Sequence, residues 1–396
     1  MHVRYPIWLR RVDRPGARVF ALLFALESLS RALLVTVVSL QALALLGDAR
    51  DVSLAFTLVG VTGLLASFTI PIVVRLLARR FTYTLGALLL VAAAGALATL
   101  TLPGQIAGML FRVYGASCLS VTASLYIMQY INKKDLTRSE PLRLQFSALA
   151  WTLGPWLGVA LYEELGPNWT YGASAGAALT LLAVFWWIRL QEQPVIGPAN
   201  KPPPPNPLRN LRRFFAQPRL RLAWIMVVGR SSWWVFFFVY APLYMLQAGE
   251  DRQTAALVVS AGNAVLFLTP VFGRLAARNG LRPVMTAAFL CVGGCILLTV
   301  AVFEQPTAVA GLLLAGALGC AALDALGNIP FIRAVRPHER PQMTTVFRTY
   351  LDAAELITPT LCALVLTLAD LRAMFFVFGL FVLSFALWPR FLPRRL

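Results

Sequence analysis

Charged residues are scarce in this chain of 396 residues, because they make up 13% of the sequence, whereas soluble domains carry about 25%. Hydrophobic residues make up 59%. They form repeated apolar runs of about 20 residues or more, the length of a helix that crosses a bilayer. These runs are continuous, unlike the alternating segments of about ten residues that mark membrane-spanning β-barrels. The sequence therefore predicts an all-α polytopic membrane protein.

Histidine and cysteine are also scarce. The chain has two histidines, His2 and His338, and both lie outside the apolar runs. The five cysteines lie inside apolar runs, where we expect small, buried hydrophobic residues. No phosphate-binding loop of the form GxxxxGK followed by Ser or Thr occurs. We therefore expect no metal site, no cofactor, no catalytic residues and no ATP-driven pump.

Twelve membrane-spanning helices can be placed on the apolar runs, six on each side of a polar interval at residues 190–221. This interval contains four consecutive prolines, Pro202 to Pro205, which disfavour a helix and favour an extended segment. It predicts a linker between an N-terminal six-helix bundle, residues 1–189, and a C-terminal one, residues 222–396. The predicted spans are 18–46, 52–74, 82–101, 105–131, 144–162, 169–189, 222–247, 253–274, 282–303, 306–332, 344–368 and 371–389.

A short sequence recurs in the two bundles. Residues 75–79 read RLLAR after the second span, and residues 274–278 read RLAAR after the eighth, which is 199 residues later. Because both stretches occupy the same place in a six-helix unit, they indicate an internal repeat. Two parallel repeats suit a protein whose halves rock about a site near the middle of the membrane.

The basic residues lie predominantly on one side of this arrangement. The termini, the linker and the connections on that side hold 28 of the 35 Lys and Arg, whereas the opposite connections hold only Arg50, Arg252 and Arg372, beside eight acidic residues. The positive-inside rule then predicts cytoplasmic termini, as in a multi-pass protein of a bacterial inner membrane. The net charge of +18 indicates attraction to anionic lipid headgroups at the cytoplasmic face rather than nucleic-acid binding.

Ionisable residues within the predicted spans are few. Each costs roughly 2.5–3.5 kcal/mol near the bilayer centre unless it faces water or a partner. Away from the span ends, they occur on spans one, four, seven, ten and eleven, and none lies on spans three, six, nine or twelve. This distribution favours helices that line a shared cavity over salt bridges that only lock helices together. The eight residues are Glu27, Arg31, Arg112, Arg230, Asp324, Arg348, Asp352 and Glu355.

Their spacing suggests roles. Glu27 and Arg31 lie four residues apart and share a helix face, and residues 348, 352 and 355 form one stripe of span eleven. A carboxyl group near an arginine within a membrane is a candidate proton site, because burial and charge both change its proton affinity. The proton-coupling candidates are Glu27 and Glu355, followed by Asp352 and Asp324. The substrate-binding candidates are Arg31, Arg112, Arg230, Arg348, Trp233, Tyr240, Tyr114 and Asn328.

With six plus six spans and a long central linker, the chain resembles the major facilitator superfamily of secondary transporters. The family motif G-x-x-x-D-R-x-G-R-R is poor at residues 74–83, where only Arg79 is kept. It is better after span eight, where Ala277 replaces the acid, as Ala78 does in the first copy. Residues 112–115 and the GPWLG stretch at residues 154–158 are similar to motifs of proton-coupled exporters in the family. The gating residues implied by the motif are Arg79, Gly273, Arg278, Gly280 and Arg282.

The resemblance implies a secondary transporter that works by alternating access, as a monomer, on a small-molecule substrate. Among its members we expect a proton-coupled exporter of a small amphipathic organic compound. One alternative is uptake of an organic anion by symport or exchange, with the arginines as the substrate ligands. Another is a non-transporting assembly factor or sensor with this fold, which the eight charges on the cavity helices argue against.

Overall fold

The computed structural model describes residues 17–130, 136–188, 207–336 and 340–392. All secondary-structure elements in these ranges are helical, which confirms the predicted fold class. The α-helices are α1 Ala17–Leu46, α2 Ala49–Ala98, α3 Leu102–Tyr130, α4 Leu136–Glu164, α5 Pro167–Ile188, α6 Pro207–Phe215, α7 Pro218–Gln247, α8 Arg252–Ala264, α9 Thr269–Asn279, α10 Leu281–Ala301, α11 Pro306–Leu326, α12 Ile329–Ala334, α13 Arg340–Phe347, α14 Tyr350–Leu366 and α15 Leu371–Ser384. Two 3₁₀ helices, Val265–Leu268 and Phe385–Phe391, extend α8 and α15.

Nine helical segments in the described ranges are long and apolar enough to cross a membrane. One of them, α2, has 50 residues, which amounts to about 75 Å and is more than twice the roughly 30 Å that one crossing needs. It is two helices that meet at Ala78, where the backbone leaves the helical region (φ 63°, ψ 160°). Predicted span two and most of predicted span three lie within it, so the structure is consistent with the predicted count of twelve.

The predicted linker is partly helical. Helix α6 lies within residues 190–221, and α7 begins at Pro218 rather than at 222. Phe214 of α6 is fully buried and packs with Leu220, Phe331 and Phe347. The interval remains a predicted linker, and the helix within it was not evident because three of the nine residues of α6 are arginines. The run Pro202 to Pro205 lies outside the described residues.

Two further predictions need correction. Span 344–368 is interrupted at residues 348–349, between α13 and α14. The cysteines are not all buried, because Cys291 on α10 is exposed and Cys295 is partly exposed, while the other three are buried. The two residues lie one helical turn apart on α10, and Cys291 is exposed although its Sγ lies 3.7 Å from the Ala315 carbonyl oxygen of α11, so being in an apolar run did not mean being in the core.

The same backbone turn occurs once in each half of the chain. Ala78 separates the two parts of α2, and Gly280 (φ 90°, ψ 153°) separates α9 from α10 with nearly the same dihedral angles. Gly280 lies 202 residues after Ala78, so the backbone relates the halves with an offset three residues longer than the sequence repeat does. The reason is the position of the turn relative to the repeated sequence. Ala78 is the fourth residue of RLLAR, whereas Gly280 lies three residues after Ala277, the fourth residue of RLAAR.

The largest apolar core lies among the C-terminal helices α7, α10, α11 and α15. Phe236 of α7 stacks on Phe378 of α15 with ring centroids 4.0 Å apart. In the N-terminal helices, close packing depends on small residues: Gly158 of α4 faces α1 so closely that a Cβ there would lie 1.8 Å from the Leu33 carbonyl oxygen. These two packed groups, α1–α5 and α6–α15, are called the N-terminal half and the C-terminal half below.

Candidate functional site

The ionisable stripe predicted on span eleven faces the N-terminal half. Arg348 donates hydrogen bonds to two hydroxyls of α3, from Nη1 to Ser124 Oγ at 2.6 Å and from Nη2 to Ser120 Oγ at 2.5 Å. One turn further along, Asp352 Oδ2 accepts a hydrogen bond of 2.5 Å from Ser67 Oγ of α2. Three polar contacts between the halves thus come from two charged residues of this stripe.

Glu355, the third member of the stripe, lies against two glycines of α2. A Cβ built at Gly60 would lie 2.4 Å from the Glu355 carbonyl oxygen, and one built at Gly63 would lie 3.4 Å from Glu355 Oε2 and 3.7 Å from Asp352 Oδ1. Small residues allow the backbones of two helices to approach this closely. Residues Gly60, Gly63, Ser67, Asp352 and Glu355 are called the α2–α14 interface below.

Sequence reasoning missed the N-terminal partners of this stripe. Gly60, Gly63 and Ser67 follow the spacing i, i+3, i+7, and Ser120 and Ser124 follow i, i+4, so each set occupies one face of its helix. A search for stripes of small residues at helical spacing would have found both sets. Such a stripe shows a close helix contact but does not show which helix forms it.

Glu27, Arg31 and Arg112 form a second group, on α1 and α3. Arg31 Nη1 lies 3.4 Å from Glu27 Oε1, as their spacing predicted, and Glu27 is almost fully buried while the Arg31 side chain is 31% exposed. Arg112 Nη2 donates to the Arg31 carbonyl oxygen at 3.0 Å. The Nε atoms of both arginines are buried and have no hydrogen-bond partner in the described part of the chain. Two cationic groups with unused donors therefore converge beside a buried carboxylate.

Aromatic rings border this second group. The Arg31 guanidinium lies 5.8 Å from the centre of the Trp151 ring on α4. Trp151 in turn packs on Phe238 of α7, with ring centroids 5.4 Å apart. Because Arg31 remains partly exposed, this region presents a cation and aromatic surface side by side, at a contact between the two halves.

Arg230 and Asp324 form a third group, which lies within the C-terminal half. Arg230 Nη1 lies 2.9 Å from Asp324 Oδ1, and Trp234 Nε1 donates to Asp324 Oδ2 at 2.7 Å. The Arg230 guanidinium also lies 5.2 Å from the centre of the Tyr350 ring. Both oxygens of Asp324 are thus occupied by α7, and this pair joins α7 to α11.

The remaining substrate-binding candidates are dispersed. Trp233 is fully buried, stacks on Phe237 at 4.9 Å and lies over Gly316 of α11, inside the C-terminal half. Tyr240 is buried and donates to Ser53 Oγ of α2 at 2.8 Å, which is another contact between the halves. Tyr114 shares a hydrogen bond of 3.0 Å with Thr69, and Asn328 is exposed between α11 and α12. The structure does not bring these side chains together.

The gating residues implied by the family motif lie at the two equivalent turns. Gly280 has the positive φ of 90° that favours glycine, and Gly273 and Arg278 are exposed on α9. Arg79 and Arg282 are partly buried on the helices that follow the two turns. With the offset of 202 residues, Arg282 corresponds to Arg80 rather than to Arg79.

No group of three or more His, Cys, Asp or Glu suited to a metal occurs among the described residues.

Comparisons with known proteins give the fold and the family. A search of curated proteins found no match. Among solved structures, a peptide transporter POT in complex with sulfate is 14% identical, with a TM-score of 0.73 over 95% of this chain and 94% of that one. The nucleoside transporter NupG is 13% identical, with a TM-score of 0.72 over 94% and 98%. At these identities the similarity shows the fold alone.

The sequence itself matches the family model of the Major Facilitator Superfamily over residues 20–317 and 250–396. These two matches include all fourteen α-helices from α2 to α15 and most of α1. The chain belongs to the Major Facilitator Superfamily, and it is a multi-pass membrane transporter.

Proposed function

We propose that this transporter couples the movement of a small amphipathic organic compound to the movement of protons, and that it exports the compound by alternating access. The observation that carries the proposal is the α2–α14 interface, where two carboxyl groups of one half lie against the other half. A transporter that rocks its halves must open and close such an interface during its cycle.

Glu355 is the proposed main proton carrier. Its carboxyl group lies beside Gly63 and near Asp352 in the present arrangement, and separation of α2 from α14 would expose it to water. The proton affinity of a carboxylate depends on burial and on neighbouring charges. Movement of the halves would therefore change the protonation of Glu355, and protonation would in turn bias the movement.

Glu27 is the proposed second carrier. Its buried carboxylate is held by Arg31, and Arg31 is partly exposed and so can exchange this contact for one with a substrate. A substrate that draws Arg31 away from Glu27 would favour protonation of Glu27. Competition for one arginine is a direct way to link the binding of a substrate to the binding of a proton.

The surface around Arg31 supports an amphipathic substrate. Trp151 and Phe238 supply aromatic area, and Arg31 supplies a charge. Ligand sites commonly combine apolar walls with a few fixed polar groups. The membership of a transporter family also favours transport over a non-transporting role.

Uptake of an organic anion is the second candidate. It is favoured by the buried Nε atoms of Arg31 and Arg112, which have no partner among the described residues. Buried donors are normally hydrogen-bonded, and an anionic substrate would satisfy both. The two candidates are separated by measuring the thermal stability of the purified protein in the presence of anions, cations or zwitterions. A ligand that binds the folded state raises the apparent stability.

Proton coupling is tested with proteoliposomes that contain a pH-sensitive dye. Once a substrate is known from the stability screen, its gradient should drive a proton flux in the unaltered protein. Glu355→Gln and Glu27→Gln should each abolish this flux, since neither amide can bind a proton. Glu163→Gln, an exposed residue at the end of α4, is the matched control and should change nothing. If both test variants keep the pH dependence of transport, the proton assignment is wrong.

A further inference from the structure

A small apolar recess lies away from the α2–α14 interface. It opens at the end of the bundle where α1 ends, α4 ends and α8 begins, and its volume is about 130 Å³. Along α1 it extends from residue 45 to residue 37, a depth of about 12 Å at the helical rise. The lining residues are Val37, Leu40, Gln41, Ala44, Leu45, Leu100, Val159, Tyr162 and Arg252.

Arg252 is the charged residue of this recess. Its guanidinium lies 5.8 Å from the centre of the Tyr162 ring, and it forms no ion pair with any residue in the described ranges. The neighbouring Asp251 is not paired with it: that carboxylate caps α8 and accepts a hydrogen bond of 2.7 Å from Thr254 N. Hydrogen bonds from the Thr254 side chain and backbone lower the pKa of Asp251.

Arg252 is the first residue of α8, and the N-terminus of that helix is already capped by Asp251. An anion bound at the recess would therefore be stabilised by the Arg252 guanidinium rather than by the helix end. Gln41 also lines the recess, but its side-chain amide already has hydrogen-bond partners: it donates to the Leu97 carbonyl oxygen at 3.0 Å and accepts from Tyr171.

We propose that this recess binds an amphiphile with one anionic head group and an unbranched apolar tail. The head group contacts Arg252 at the end of the bundle, and the tail lies along Leu40, Ala44 and Leu45 of α1. The volume of the recess is close to the roughly 150 Å³ of a dry protein cavity that takes benzene, so it holds the part of the tail nearest the head group. Fatty-acid anions and anionic phospholipids share this chemistry.

The recess is shared between the two halves. Arg252 belongs to the C-terminal half, and the other lining residues belong to the N-terminal half. A bound amphiphile would therefore join the halves and stabilise the arrangement described here. Because a ligand shifts an equilibrium toward the state it binds better, saturating amphiphile should slow any cycle that separates the halves at this end.

Photo-crosslinking in nanodiscs of phosphatidylcholine tests the proposal. The probe is a fatty-acid anion with a diazirine near the start of its tail. We expect crosslinks to peptides that contain Leu40 to Leu45, with competition by decanoate but not by decylammonium, which has the same tail and a cationic head. Arg252→Gln should weaken labelling about tenfold, whereas Arg50→Gln, an exposed arginine at the same end, should not weaken it.

A second variant tests the tail site without changing charge. Ala44→Phe should fill the recess and abolish labelling, while the variant remains folded because Ala44 is exposed. Replacing phosphatidylcholine with phosphatidylglycerol distinguishes the two sources: competition by this lipid identifies a phospholipid as the occupant, and its absence identifies a free fatty-acid anion. Crosslinks elsewhere, equal competition by decylammonium, or full labelling of Arg252→Gln and Ala44→Phe would overturn the proposal.

Discussion

Ser67 on α2 donates a hydrogen bond of 2.5 Å to Asp352 on α14, although the two residues are 285 positions apart in the chain. The bond joins the two halves of the transporter beside Glu355, the proposed proton carrier. Its acceptor is a carboxylate and its donor is a neutral hydroxyl. The first prediction concerns this bond.

Ser67→Ala should destabilise the arrangement in which α2 contacts α14. Hydrogen bonds to charged groups contribute about 1.5–3 kcal/mol, and we expect about 1.5 kcal/mol here because the bond is only partly buried. This changes roughly tenfold the ratio of the closed form, in which α2 contacts α14, to the open form, in which the two helices are apart. Spin-label distances between α2 and α14 measure the change. Thr62→Ala is the control, since among the described residues Thr62 bonds only to the Leu58 carbonyl oxygen of its own helix. Equal distance distributions for both variants would contradict the prediction.

Gly60→Ala should force α14 away from α2. The added methyl group would lie 2.4 Å from the Glu355 carbonyl oxygen, and this backbone atom cannot move without the helix. Overpacking of this kind costs about 1–3 kcal/mol. Gly63→Ala should be milder, because its nearest atom is a side-chain oxygen at 3.4 Å, and Gly95→Ala should be slightly stabilising, because nothing lies within 4 Å of the added methyl group and alanine is favoured over glycine in a helix. Thermal unfolding should find Gly60→Ala the least stable of the three variants and Gly95→Ala the most stable. A different order would show that α2 and α14 are packed less closely than described here.

Ala78→Gly should stabilise the protein. Ala78 has φ 63° and ψ 160°, a region that is essentially restricted to glycine and costs other residues about 1–3 kcal/mol. Because glycine also gains freedom in the unfolded chain, we expect a net gain of about 1 kcal/mol. The converse change, Gly280→Ala at the equivalent turn, should be destabilising. Thermal unfolding tests both, and a loss of stability in Ala78→Gly would mean that the turn is not strained.

Asp324→Asn should lower stability without altering the pH dependence of transport. Its carboxylate is held by Arg230 and Trp234, and loss of the negative charge would leave Arg230 buried without its partner. Breaking a buried pair costs about 3–5 kcal/mol, whereas replacing both partners with apolar residues is often neutral. The double change Arg230→Met with Asp324→Leu should therefore recover most of the stability. A shifted pH profile with unchanged stability would instead place Asp324 among the proton carriers.

The sequence predicted the charged side of the α2–α14 interface but not the other side. Asp352 and Glu355 are conspicuous because a carboxylate in an apolar run is costly. Gly60 and Ser67 are not conspicuous, because small residues are common in membrane helices and carry no such cost. The contacts between α2 and α14 join residues that are almost 300 positions apart in the chain. Local periodicity contains no information about which helix packs against α14.

Trp233 and Ala78 show two other limits. Trp233 is a substrate-binding candidate by its aromatic character, and its ring is buried over Gly316 of α11, inside the C-terminal half. The spacing of α7 alone could not reveal this position. At Ala78 the prediction was a connection between two spans, and the structure makes the reversal with one residue. Nothing about alanine indicates a positive φ, so the turn became visible only in the backbone.

The hydrogen bonds from Arg348 to Ser120 and Ser124, and from Ser67 to Asp352, pair a charged group of one half with a neutral hydroxyl of the other. When the halves separate there, water can take the place of each hydroxyl, and none of these three bonds pulls opposite charges apart. Breaking these contacts therefore requires little Coulombic work. The free-energy difference that they contribute between closed and open forms should accordingly be almost independent of ionic strength, unlike that of a gate built from surface ion pairs.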